Sequence, residues 1–109
     1  MAKGYWIARV DVSDPLQYKA YVAANAEPLA RFGARFLVRA GAFETVEGTS
    51  RSRNVVIEFP SYQAALDCWN SVAYQGAREL RLPAAQADTV IIEGYDGPQP
   101  AAADARPPG

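Results

Sequence analysis

Asn54–Leu80, NVVIEFPSYQAALDCWNSVAYQGAREL, decides the architecture of this chain. NVVIEF is a short apolar, β-branched run of strand character. Pro60 ends it, and Ser61 is placed to cap a helix from Tyr62 to about Trp69. Asn70-Ser71 breaks that helix. Ser71 can cap a second one, Val72 to about Arg81, which Pro83 closes. A buried strand followed by a broken helix is half of an α+β layer.

Working outward, Gly4–Val12 alternates as a strand, with Tyr5, Ile7, Arg9 and Asp11 on one face and Trp6, Ala8, Val10 and Val12 on the other. Asp14 is an N-cap and Pro15 a first helical residue. The helix they start runs to about Phe32, with Gly33 as its left-handed terminator. Tyr18, Tyr21, Val22, Asn25, Leu29 and Phe32 make its inward stripe. Pro28 is expected to kink or restart this helix, because it leaves the Ala24 carbonyl without a donor. Arg35–Ala40 predicts a second strand, Ala42–Glu47 a short extra one, and Thr89–Tyr95 the last. The order β-α-β-β-α-β is the ferredoxin-like arrangement: an antiparallel sheet in the order 4-1-3-2, with the helices on one face. One domain spans residues 1–95. Residues 96–109 hold four of the eight prolines without periodicity, and a disordered tail is expected there.

Composition removes several functions. Among 109 residues, 11 are Lys or Arg and 12 are Asp or Glu, for a net charge of −1, which gives no support to a nucleic-acid partner. No run approaches the ~18 apolar residues of a membrane span, and the N-terminus lacks a signal-peptide core, so a cytoplasmic protein is expected. The chain has no histidine, which excludes histidine-based acid–base, nucleophilic and metal chemistry. Cys68, the single cysteine, rules out an intrachain disulfide. Without GxGxxG, Walker or EF-hand patterns, neither a cofactor nor a metal is expected.

Strand alternation then separates two sheet faces. Trp6, Ala8, Val10, Phe36, Val38, Val55, Ile57, Phe59, Val90 and Ile92 read as the face under the helices. The other face takes Ile7, Leu37, Val56 and Ile91 at its centre and charges at its ends. Such an aliphatic patch is a liability in water, and a second copy docked sheet to sheet would cover it. A homodimer with a barrel-like interior is expected. Arg35 and Glu58 should pair at one end of this face, with Arg9, Arg39 and Asn54 gathered at the other.

With these elements in place, GYWIARVDV, FGARFLVRAG, RSRNVVIEFPS and WNSVAYQ together resemble a family of small bacterial proteins known as domain of unknown function 1330. The resemblance covers Ala2 to Tyr95. It implies a dimeric α+β barrel, in a superfamily that includes cofactor-free monooxygenases, isomerases and binding proteins. Where that family reads Ser-Pro-Glu-Tyr, this chain has Ser71-Val72-Ala73-Tyr74.

The residues give the following candidates. Arg9, Arg39 and Asn54 would hold an anionic group, against the alternative of structural ion pairs with Glu44, Glu47 or an acid of a second copy. Asn25 would either face a ligand or satisfy the carbonyl freed by Pro28. Trp69 and Tyr74 are pocket walls or core. Glu58 is a base if desolvated, otherwise a salt-bridge partner. Cys68 is an inert buried thiol or, with a positive field, a nucleophile. The expected function is binding of a small organic acid or aromatic molecule, with cofactor-free proton-transfer or oxygenase chemistry as its extension. The alternative is a non-catalytic dimeric module with a packed interior. A cavity of about 300 Å3 or more beside Arg9 and Arg39 would favour the first.

Overall fold

The computed structural model describes residues 2–100. Its elements are β1 (Gly4–Val12), α1 (Pro15–Arg31), β2 (Arg35–Arg39), β3 (Arg53–Phe59), α2 (Tyr62–Asn70), α3 (Val72–Arg81) and β4 (Ala85–Glu93). The strands form one antiparallel sheet in the order β2-β3-β1-β4. This is the ferredoxin-like fold, with its second helix in two pieces. Among the described residues, no helix is long and apolar enough to cross a membrane.

Local chemistry sets the boundaries. The Asp14 side chain accepts from the Gln17 amide at 3.2 Å, and the Ser61 hydroxyl from the Ala64 amide at 3.0 Å. Ser71 serves two helices. Its hydroxyl donates to the Cys68 carbonyl at 2.7 Å, closing α2, and accepts from the Tyr74 amide at 3.1 Å, opening α3. Gly33 takes φ +76° after α1, a left-handed turn that suits glycine. The restart offered as one outcome at Pro28 does not occur: α1 is continuous through it. Pro28 lies in the last turn, where little helix remains to be disrupted, and its carbonyl accepts from the Cys68 thiol at 3.7 Å.

The core is organised around Trp6. Its ring lies 5.0 Å from Phe59, 5.5 Å from Trp69 and 4.8 Å from Tyr74, and its indole N–H donates to the Ala65 carbonyl at 2.9 Å. One side chain of β1 thereby ties the sheet to both α2 and α3. Tilted and edge-on aromatic pairs of this kind each contribute about 0.5–1.5 kcal/mol beyond burial.

Three expectations about the strands are corrected. In β2, Phe36 opposes Ile57 and Val38 opposes Val56, so Leu37 is an extra residue in a bulge. Beyond a bulge the alternation inverts. Val38 therefore joins the open face, and Arg39, opposite Val55, turns under the helices. In β4, the Ala84 carbonyl accepts from the Ser13 and Asp14 amides, which fixes Ala85 opposite Val12 and Ile91 opposite Trp6. Ala85, Ala87, Thr89 and Ile91 thus face the helices, while Val90 and Ile92 are 52% and 48% exposed on the open face. The run Val90-Ile91-Ile92 has no polar residue to reveal which way it points. Finally, Ala42–Glu47 forms no strand; it is part of an exposed loop. Residues 96–100 have no helix or strand, with the Tyr95 hydroxyl donating to the Pro98 carbonyl at 2.7 Å. The remainder of the tail expected to be disordered lies outside the described residues.

Candidate functional site

The sheet carries small side chains where α1 and α3 cross it. Ala8 pairs with Thr89, and Val10 with Ala87, on neighbouring central strands. These leave a narrow cavity of about 40 Å3 between sheet and helices. Trp6 and Tyr74 form its floor, and Tyr18, Tyr21, Val22 and Asn25 form its α1 wall. Phe36, Val55 and Ile57 complete the apolar lining.

Three arginines enter this lining and no Asp or Glu does. Arg39 is exposed, and its guanidinium lies 4.0 Å over the Phe36 ring. Arg53 stands opposite Val10 on the helix side of β3, 5.3 Å over the Tyr18 ring, with its Nε buried and without a hydrogen-bond partner. Arg81 is only 6% exposed, 5.5 Å over the Tyr21 ring, and no described carboxylate pairs with it. A buried guanidinium without a counter-charge is costly, several kcal/mol by general estimates, and such groups concentrate at functional sites.

Two phenols meet at the floor. The Tyr21 and Tyr74 hydroxyls are 2.8 Å apart. Burial pushes Tyr74 well above its ordinary range, and the neighbouring Tyr21 pushes it further, while Arg81 opposes weakly. Burial also raises Tyr18, against the opposing charge of Arg53. Tyr18 and Tyr74 therefore stay protonated and can donate, and neither is a base at neutral pH. Asn25 is buried at the wall, and its amide makes no hydrogen bond to a described residue, so it does not satisfy the carbonyl freed by Pro28.

The other sequence candidates fall elsewhere. Arg9 and Asn54 pair across β1 and β3 on the open face, beside an open cleft of about 330 Å3 roofed by the loop around Phe43–Ser50. Arg39 does not join them, because the bulge turns it through the sheet. Glu58 is also on the open face, accepting from the Tyr5 hydroxyl at 3.2 Å and 3.9 Å from Arg35 Nε. The sheet separates it from the aromatic cavity, so it is not a base for a ligand there. Trp69 packs in the core against Trp6 and Tyr74. Cys68 is fully buried, and burial pushes its thiol up to about 12. That removes the reactive thiolate a nucleophile needs.

Arg53 and Arg81 were not among the sequence candidates, yet both carried a signal. Counting back by two from Phe59, Ile57 and Val55 reaches Arg53. Tyr74, Ala77 and Arg81, at three- and four-residue steps, are the buried residues of α3. Arg51 was also missed. It bonds Asp11 at 2.9 Å and Asp88 at 2.8 Å, and with the Ser52 amide on Asp11 it pins the loop before β3 to β1 and β4. The Ser52 amide and Arg51 hold the Asp11 carboxyl below its usual range.

Sheet order, helix placement and element sequence define a ferredoxin-like α+β protein. The chain belongs to the family described as Domain of unknown function (DUF1330), whose model matches residues 3–95. No curated protein matches it. It is similar in structure to a protein of unknown function from Rhodopseudomonas palustris, with TM-score 0.72, 14% identity, and 88% of this chain and 85% of that one covered. It is also similar to SnoaB, a cofactor-independent oxygenase from Streptomyces nogalater, with TM-score 0.60, 11% identity and coverage of 89% and 97%. A dimeric ferredoxin-like protein of unknown function from Thermobifida fusca matches with TM-score 0.57, 15% identity and coverage of 84% and 91%. At these identities the likeness is one of fold.

The raised phenol and thiol give a pH dependence with a definite sign. Below the ordinary values of 9.0 for Cys68 and 10.0 for Tyr74, both are protonated whether the chain is folded or not. Above them the unfolded chain releases protons that the folded chain keeps, so stability falls as pH rises. Each group contributes up to about 1.4 kcal/mol per pH unit. Tyr74→Phe should flatten this loss in urea midpoints above the ordinary phenol value of 10.0, leaving the part that begins near 9.0 with Cys68, and cost about 1–2 kcal/mol at neutral pH by orphaning the Tyr21 hydroxyl. An unchanged alkaline slope would contradict it.

Proposed function

We propose that the aromatic cavity binds a small organic anion with a flat apolar body, such as an aromatic carboxylate or a phenolate. The observation that carries this reading is Arg81, a guanidinium 6% exposed among aromatic rings with no described carboxylate beside it. An anionic ligand would supply the missing charge. Arg53 would flank the anion, and Tyr21, Tyr74 and Asn25 would offer neutral hydrogen-bond donors to it. The cavity, about 40 Å3, has room for a water or two as it stands. A ring must therefore enter by displacing Arg39 from Phe36 at the mouth. Arg39 and Asn25 keep a ligand-binding role in this reading. Arg9, Asn54 and Glu58 leave it.

The cavity has no acidic side chain to serve as a base, so the reading is binding and anion stabilisation rather than proton abstraction by the protein. The oxygenase neighbour motivates a second step: a bound phenolate or enolate that itself gives electrons to dioxygen. Calorimetric titration with benzoate and 1-hydroxy-2-naphthoate tests both. Wild type should bind, and Arg81→Met, which keeps the bulk and removes the charge, should weaken binding at least ~10-fold, as loss of a charge-assisted hydrogen bond implies. Equal affinity in the two proteins would refute the site. Protein-dependent oxygen uptake with the naphthoate, lost in Arg81→Met, is expected of the oxygenase step, and its absence would leave a binding protein.

We also propose that the working form is a cytoplasmic homodimer with the open faces in contact. Leu37, Val38, Val90 and Ile92 are exposed there, and Ile7 and Val56 half-buried, an aliphatic patch that water does not favour. Sedimentation equilibrium should give twice the chain mass for wild type and a monomer for Ile92→Lys. A monomeric wild type at micromolar concentration would overturn the dimer and leave the aromatic cavity intact.

A further inference from the structure

A second cavity lies on the other side of Arg81. It is a cleft of about 500 Å3 between α3 and the first half of β4, lined by Trp69, Arg78, Arg81, Gln86 and Thr89, with Arg51 at its rim. Arg81, Ala87 and Thr89 belong to the linings of both this cleft and the aromatic cavity. No Asp or Glu lines it. The charge of Arg51 is already answered by Asp11 and Asp88, so the uncompensated charge comes from Arg78 and Arg81.

These two arginines are three residues apart on α3, which puts them on neighbouring positions of one helix face. The end of α3 suits them, since cations favour a helix C-terminus. That preference explains exposed arginines. It does not explain one that is nine-tenths buried beside another whose Nε is buried and without a partner. Arg78 is also held in place. Its guanidinium lies 5.5 Å over the Trp69 ring and donates to the Gln75 side-chain oxygen at 3.4 Å, while Gln75 donates to the Trp69 carbonyl at 2.7 Å. A surface arginine is normally free to swing into water; this one is braced toward the cleft.

We infer that the cleft between α3 and β4 is a second oxyanion site, in which Arg78 and Arg81 grip a carboxylate or phosphate group. Two guanidiniums offer such a group paired, planar donors. Gln86 and Thr89 add neutral polar groups at the rim. The site is wet and open, unlike the aromatic cavity, which fits a compact, well-hydrated anion rather than an apolar ring.

The test is thermal stability in inorganic phosphate and in malonate, each compared with chloride at matched ionic strength. Wild type should be stabilised by at least one of the two anions, and which one identifies the group the site prefers. Arg78→Gln should lose that increment, while Lys19→Gln, a charge change on the exposed side of α1, should keep it. Equal shifts in all three proteins would mean general ionic screening and would overturn the site, as would no shift in wild type. Arg78 takes no part in the aromatic cavity. Loss of phosphate response with benzoate binding intact, or the reverse, therefore separates this site from the one proposed above.

Discussion

A guanidinium taken out of water needs a negative partner, and among the described residues no carboxylate pairs with the buried Arg81, which lies 5.5 Å over the Tyr21 ring. That imbalance governs the chemistry of the whole helix side of the sheet. Burying a charge without a counter-charge costs far more than most single interactions contribute to the modest net stability of a domain. Cation–aromatic contacts with Tyr21 recover part of the cost, on the order of 1–2 kcal/mol when desolvated. The remainder is what a bound anion would relieve. The cavity is thus polarised: apolar at the Trp6 floor, positive along Arg53 and Arg81, and bordered by the exposed Arg39 stacked on Phe36.

The scaffold that holds Arg81 in place is rigid for identifiable reasons. Ser71 ends one helix and starts the next with a single hydroxyl, so α3 begins at a fixed point. Trp6 locks α3 to the sheet through Tyr74, and the Tyr21–Tyr74 hydroxyl pair locks it to α1. The same small residues that make room for the cavity, Ala8, Ala87 and Thr89, let the helices lie over the sheet. Packing and site are therefore not separable in this fold. A larger side chain at any of these positions would fill the cavity.

Much of the fold was legible in the sequence because its signals were strong and local. Three N-caps, two helix-ending turns and the alternation of β1 and β3 all point to one topology, and the order 4-1-3-2 follows from it. What failed had no local signal. Phe36-Leu37-Val38 and Val90-Ile91-Ile92 are runs of three apolar residues, and such runs do not say which member points inward. A bulge in the first and a backbone tie at Ala84 in the second settled the faces, and both depend on partners distant in sequence. The consequence for function was large. Inverting β2 moved Arg39 from the open face to the aromatic cavity and dissolved the cluster with Arg9 and Asn54. The aliphatic character of the open face survived, because Val90 and Ile92 took the place of Ile91. Arg53 and Arg81 were within reach of simple counting, but charged residues at the end of an apolar stripe are easily assigned to solvent.

The most direct measurement is a guanidinium-resolved nitrogen NMR titration of the protein with benzoate. Binding in the aromatic cavity predicts that the Arg81 Nε–H resonance moves to saturation, with Arg53 moving in step and Arg9 unmoved. Saturable movement of Arg9 with Arg81 unchanged would place the anion on the open face and contradict a site built around the buried guanidinium.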